Sequence, residues 1–130
     1  EFDLFNSPSQ ENIFNSEFTI SSRSNRMGYR LDGKKFTLEQ KTEMVSTAVT
    51  AGIVQVTHEG DPIILMADAQ TIGGYPRIAR ICAADISLLA QTRPGVKIQF
   101  KEIGEEESLM RYNRIVEAMK RVKVGLSNTG

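Results

Sequence analysis

One cysteine, one histidine and no tryptophan occur in these 130 residues. A lone Cys82 closes no internal disulfide and builds no zinc cluster, and a lone His58 leaves no histidine pair for a metal. Charge of one sign is missing as well: 16 Lys and Arg meet 16 Asp and Glu, so the formal net charge is zero. Nucleic-acid affinity rests on neutralising phosphates, and a chain without a basic excess has no such footprint. Apolar runs are short. Residues 63–67 form one of the longest, far below the roughly 18 residues a membrane span needs, and no signal-type segment opens the chain. A cytoplasmic location is the expectation.

What is present suits a globular protein, with 40% hydrophobic and 25% charged residues. A chain of this length is expected to form a single domain over 1–130 and to bury about two-thirds of its unfolded surface. Residue 1 is Glu rather than Met, so the chain is expected to be a piece of a longer product.

Short strands and turns dominate the pattern. Residues 9–14 suggest a helical turn behind a Ser7-Pro8-Ser9 turn, and residues 18–22 and 26–31 are strand-like. In the second run Met27, Tyr29 and Leu31 alternate with Arg26, Gly28 and Arg30, which places the two arginines on one face. Asp32-Gly33 supplies a turn, and residues 36–50 have no clean period. Residues 53–57 and 62–67 flank His58-Glu59-Gly60-Asp61 as a hairpin, and Pro62 suits the first position of a strand. A glycine-containing loop, 68–76, leads into a strand at 77–83. Asp85 is expected to cap a short helix over 86–91, closed by Arg93-Pro94-Gly95. Residues 96–103 alternate as a half-buried antiparallel strand. Leu109, Tyr112, Val116, Met119 and Val122 predict a long helix over 105–123, with acids at its start, bases at its end and Gly125 as its stop. Five or six strands with one short and one long helix argue for a mainly β domain, most simply a barrel plugged or flanked by helix.

Chemistry-bearing residues are few. His58 is a general base by type, yet it falls at a hairpin tip where exposed polar residues are common. Cys82 lies among apolar neighbours as a small core hydrophobe. Gly73 and Gly74 make neither a P-loop nor a dinucleotide fingerprint. They can still bring backbone amides close to a ligand, with Tyr75 beside them to stack or donate, or they can simply turn the chain. Arg26 and Arg30 could hold a planar carboxylate through paired guanidinium bonds, or pair with acids on a solvated face. Gln55, if buried, must satisfy its amide in the core or on a ligand.

Several blocks then resemble one family in order and spacing. They are Ser24-Asn25-Arg26-Met27-Gly28-Tyr29-Arg30-Leu31, Gly52-Ile53-Val54-Gln55-Val56, Gly60-Asp61-Pro62-Ile63, Ala67-Asp68-Ala69-Gln70-Thr71-Ile72-Gly73-Gly74-Tyr75-Pro76, Ala84-Asp85, Ala90-Gln91 and Pro94-Gly95. Together, over residues 14–100, they look like the C-terminal half of the biotin-dependent carboxyltransferase-like family. That family holds the Kip antagonist, or C subunit of bacterial 5-oxoprolinase, together with the second subunit of allophanate hydrolase and the carboxyltransferase domain of urea carboxylase. Ile72 replaces a usual Thr, and Thr57-His58 stands where Pro and a polar residue are frequent.

The resemblance implies a cyclophilin-like β-barrel with a long C-terminal helix. It also implies that this is the C-terminal half of a two-domain subunit, with the active region in a cleft shared with an N-terminal half. The implied partners are a Kip inhibitor-like B subunit and an A subunit, which together open 5-oxoproline to glutamate at the expense of ATP. No cofactor is expected on this domain alone; ATP is used by the whole complex. An alternative is transfer of a carboxyl group from biotin to urea or a similar amide. Ala118-Met119-Lys120 lacks the following Met of a biotin-carrier site and is read as coincidence. A further alternative is a regulatory antagonist that binds an inhibitor of a sporulation histidine kinase. Both enzymatic readings take a small amide and need donors for a planar carbonyl and its developing oxyanion. The substrate-binding candidates are Asn25, Arg26, Gln55, Gln70, Thr71, Gly73, Gly74 and Tyr75; no catalytic residue is assigned. Without its other half, the isolated domain is expected to self-associate through the uncovered cleft.

Overall fold

The computed structural model describes residues 1–40, 50–66 and 74–104, and the backbone of 121–126. Seven strands among them close into a barrel in the order β1-β2-β4-β3-β5-β7-β6. They are β1 (Glu17–Ile20), β2 (Gly28–Asp32), β3 (Ile53–Val56), β4 (Pro62–Leu65), β5 (Arg77–Ile81), β6 (Lys97–Glu102) and β7 (Arg121–Leu126). A short 3-10 helix (Phe2–Leu4) and two α-helices accompany them, α1 (Ser7–Asn15) and α2 (Ala83–Ala90). The expected mainly β architecture is thus present. No helix among the described residues is long and apolar enough to cross a membrane.

The barrel closes because alternation supplies a continuous apolar interior. In β6, Ile98 and Phe100 are fully buried while Lys97, Gln99 and Lys101 are exposed. Phe18 of β1 lies opposite Ile98, and its ring sits 5.7 Å from that of Phe100 and 5.8 Å from that of Phe36. Ile20, Leu31, Val54, Ile64, Ile78 and Ile81 complete the same core. Each such side chain contributes roughly 1.5–3 kcal/mol by leaving water.

The hairpin forms where expected. Val56 pairs with Pro62, Thr57 N donates to Asp61 O, and Gly60 N donates to Thr57 O. Gly60 has a φ of 92°, and a Cβ there would lie 2.9 Å from the Phe36 carbonyl oxygen, so glycine is needed twice over.

Other expectations change. The first helix starts at Ser7, because Asn6 Oδ1 accepts from Ser9 N at 3.0 Å and Pro8 is preorganised for a first helical turn. The short helix starts at Ala83, with Cys82 at the cap, so Asp85 is buried within the first turn and is not the N-cap. An acid there still meets the positive end of the helix. Of the helix predicted over 105–123, residues 105–120 lie outside the described residues, and 121–123 are strand. Residues 121–124, Arg121-Val122-Lys123-Val124, alternate with period two, and β7 pairs antiparallel with β6 and parallel with β5. Gly125 lies inside β7, opposite Gln99, and is not a helix stop.

Candidate functional site

Registers across β2, β4, β3 and β5 place Arg30 opposite Ile63, Ile63 opposite Gln55, and Gln55 opposite Arg77. Directly paired residues share a sheet face, so these four form one row. The interior is claimed by the adjacent row of Tyr29, Ile64, Val54 and Ala79. The Arg30-Ile63-Gln55-Arg77 row therefore faces outward, with Arg30 roughly 10 Å from Gln55 across two strand spacings.

A β-bulge shapes this face. Between Val54 and Gln55 the register to β5 shifts from Ala79 to Arg77. Ile78, Ala79 and Ile81 all enter the core. Arg77 and Arg80, three residues apart, would lie on opposite faces of a regular strand. The extra residue turns both outward, with Arg77 opposite Gln55 and Arg80 opposite Ile53.

Gln55 is only 4% exposed, and its Nε2 has no hydrogen-bond partner among the described residues. An unmade bond at a buried donor costs about 1–3 kcal/mol. Ile53, also buried, lies two residues away on the same strand face.

The remaining candidates divide. Asn25 Oδ1 accepts from Met27 N at 2.8 Å and from Gly28 N at 3.3 Å, so this side chain shapes its own turn. Arg26 precedes β2 and is exposed, so it does not share a strand face with Arg30 as expected. The Asn25 N–H donates to Gly28 O at 3.1 Å and bends the chain before the strand can start. Ser24 Oγ accepts from Arg30 N at 3.0 Å and holds that turn onto β2. Gly28 brings β2 close to β4, since a Cβ there would lie 2.9 Å from Ile63 Cγ2. Gln70, Thr71 and Gly73 lie outside the described residues. Gly74 has a φ of 109°. Tyr75 meets His58 edge to face at 5.1 Å, where Val56 N donates to Pro76 O at 2.9 Å. His58 is exposed at the hairpin tip and Cys82 is buried, both as expected. Arg77 and Arg80 were missed by sequence reasoning. Only an odd spacing within an otherwise apolar strand could have hinted at the bulge.

No group of three or more His, Cys, Asp or Glu among the described residues could hold a metal ion. The face carries the neutral Gln55 amide and the cationic Arg77, whose backbone N–H donates to Glu1 Oε1 at 2.7 Å.

Residues 1–102 match the family model for the carboxyltransferase domain, subdomain A and B. The chain belongs to this family. It is 45% identical over 125 residues to the C subunit of 5-oxoprolinase from Haemophilus influenzae, covering 94% of this chain and 40% of that protein. It is 47% identical over 109 residues to the 5-oxoprolinase C subunit of Escherichia coli, covering 84% of this chain and 35% of that protein. The chain thus spans well under half the length of these relatives. The crystal structure of K. lactis urea amidolyase superposes with a TM-score of 0.76 at 25% identity, over 83% of this chain and 7% of that one.

Proposed function

We propose that this chain is the C-terminal domain of a 5-oxoprolinase C subunit. With an N-terminal half, a Kip inhibitor-like B subunit and an A subunit, it would open 5-oxoproline to glutamate at the expense of ATP. The observation that carries this is the identity of 45% and 47% with two proteins of that name, against 25% with the urea amidolyase. The cyclophilin-like barrel then supplies one wall of a shared cleft. Ring opening adds water to the lactam carbonyl, breaks the C–N bond and leaves a carboxylate and an ammonium. Charge develops on the carbonyl oxygen, and fixed donors beside it lower the barrier. ATP is assigned to the assembled complex rather than to this domain. A cytoplasmic setting fits a buried, unpaired Cys82.

The test is reconstitution of the full-length C subunit with its A and B partners. ATP-dependent release of glutamate from 5-oxoproline supports the proposal, and its absence overturns it. A second reading, carboxyl transfer from biotin to urea or a similar amide, has the superposition on urea amidolyase in its favour. It requires a biotinylated carrier, and streptavidin blotting of the proteins encoded beside this one distinguishes the two.

A further inference from the structure

We propose that His58 and Glu1 are positioning residues for Tyr75, fixing the Gly74-Tyr75-Pro76 segment so that the tyrosine hydroxyl is presented in one place to a small substrate. The inference rests on the 5-oxoprolinase reading above and adds two residues to it, neither of which is given a contact with substrate.

Three contacts from separate parts of the chain converge on this short segment. The His58 ring, at the hairpin tip, meets the Tyr75 ring edge to face at 5.1 Å. Val56 N donates to Pro76 O at 2.9 Å. Glu1 Oε1 accepts from Arg77 N at 2.7 Å, across 76 positions of sequence. A bond from a backbone N–H to a carboxylate is charge-assisted and stronger than a neutral one.

Both side-chain anchors are themselves held. Thr57 N donates to Asp61 O, and Asp61 N to Thr57 Oγ1, which stiffens the tip that carries His58. Glu1 precedes the short 3-10 helix, where Leu4 N donates to Glu1 O at 3.0 Å, and Gln10 Nε2 ties that helix to α1 by donating to Phe2 O and Phe5 O. The segment needs such support, because Gly74, with a φ of 109°, is a freely turning residue directly before Tyr75. The anchors engage the Tyr75 ring and the backbone of Pro76 and Arg77, so the phenol hydroxyl keeps its capacity to donate to a carbonyl or carboxylate oxygen. A binding group fixed before the substrate arrives loses less freedom on binding.

The test uses the full-length C subunit in complex with its A and B partners. His58→Ala removes the ring and Glu1→Leu the acceptor oxygen, whereas His58→Phe keeps a ring and Glu1→Gln keeps an acceptor. His58→Ala and Glu1→Leu should each raise KM for 5-oxoproline about twofold to threefold, and together about fivefold, with kcat within about twofold of wild type. His58→Phe and Glu1→Gln should stay near wild type. In a Tyr75→Ala background, loss of either anchor should raise KM no further. Lower stability with KM unchanged, or a failure of both conservative variants to rescue, overturns the proposal, as does an anchor effect that persists without Tyr75. Should wild type release no glutamate, the functional reading fails, and the anchors are judged by amide hydrogen exchange in the full-length C subunit. Faster exchange at Tyr75 and Arg77 in His58→Ala and Glu1→Leu, reversed in His58→Phe and Glu1→Gln, upholds the positioning of Tyr75; unchanged exchange ends it.

Discussion

The His58 ring meets the Tyr75 ring edge to face at 5.1 Å, which ties the tip of the β3–β4 hairpin to the loop that enters β5. The two residues are far apart in the chain, and the backbone bond from Val56 N to Pro76 O runs just behind them. Aromatic pairs of this geometry add about 0.5–1.5 kcal/mol beyond buried area. His58 is exposed, so the low end is expected here. A double-mutant cycle with His58→Ala and Tyr75→Ala, read by urea denaturation of the full-length protein, should give a coupling of about 0.5 kcal/mol. Strict additivity would show that the contact does not hold the loop.

Asn25 invites a different comparison. Its Oδ1 accepts two backbone bonds, so Asn25→Ala should cost about 1 kcal/mol, while Asn25→Asp keeps an acceptor oxygen and should stay within about 0.5 kcal/mol of wild type. If the side-chain amide also donates to substrate, Asp will lose kcat/KM as severely as Ala despite its preserved stability. Measuring both quantities in both variants separates the turn role from the binding role.

Most of the barrel was legible because alternation is a local signal: Val96-Lys97-Ile98-Gln99-Phe100 announces its own strand. The hairpin was legible for the same reason, with Gly60 and Pro62 as punctuation. Helix starts were harder. Asp85 has the chemistry of a cap, yet the helix begins two residues before it, where Cys82 takes the cap position with no side-chain bond. At the other end of the chain, Val122 fits both a helical stripe and the alternation of β7, and pairing with β5 and β6 decides between them. The candidate site was half visible. Gln55 was singled out by type, but Arg77 and Arg80 reach its face only through a bulge, and a bulge follows from how two strands pair.

Gly60 gives a stability prediction with a steric cause. Its φ of 92° is strained for any side chain, and a Cβ would meet the Phe36 carbonyl oxygen at 2.9 Å and Lys35 Cβ at 3.2 Å. The same residue accepts the Phe36 N–H through its own carbonyl at 2.9 Å, so the clash cannot be relieved without loosening that bond. Gly60→Ala should destabilise the protein by about 1–3 kcal/mol. By contrast, the solvent-accessible Lys35–Asp61 ion pair, which joins the segment after β2 to the same hairpin, should be worth less than about 1 kcal/mol and fade in salt. Denaturation midpoints of Gly60→Ala and Lys35→Met at low and high salt check both statements; equal losses for the two would contradict them.

The outer face also bears on association. Leu65 lies opposite Gly28, Ile63 opposite Arg30, and Met27 is 39% exposed beside them, its carbonyl accepting from Met66 N at 3.1 Å. Under the proposed function this apolar stretch belongs to a cleft wall that an N-terminal half would cover. The 130-residue chain on its own should therefore self-associate. Sedimentation should show a weight-average mass rising with concentration, and Met27→Glu should shift it back toward the monomer by setting charge against a second apolar face. A wild-type chain that stays monomeric at high concentration would show that this face is adequately solvated as it stands. Association that Met27→Glu leaves untouched would move the sticky surface elsewhere on the barrel.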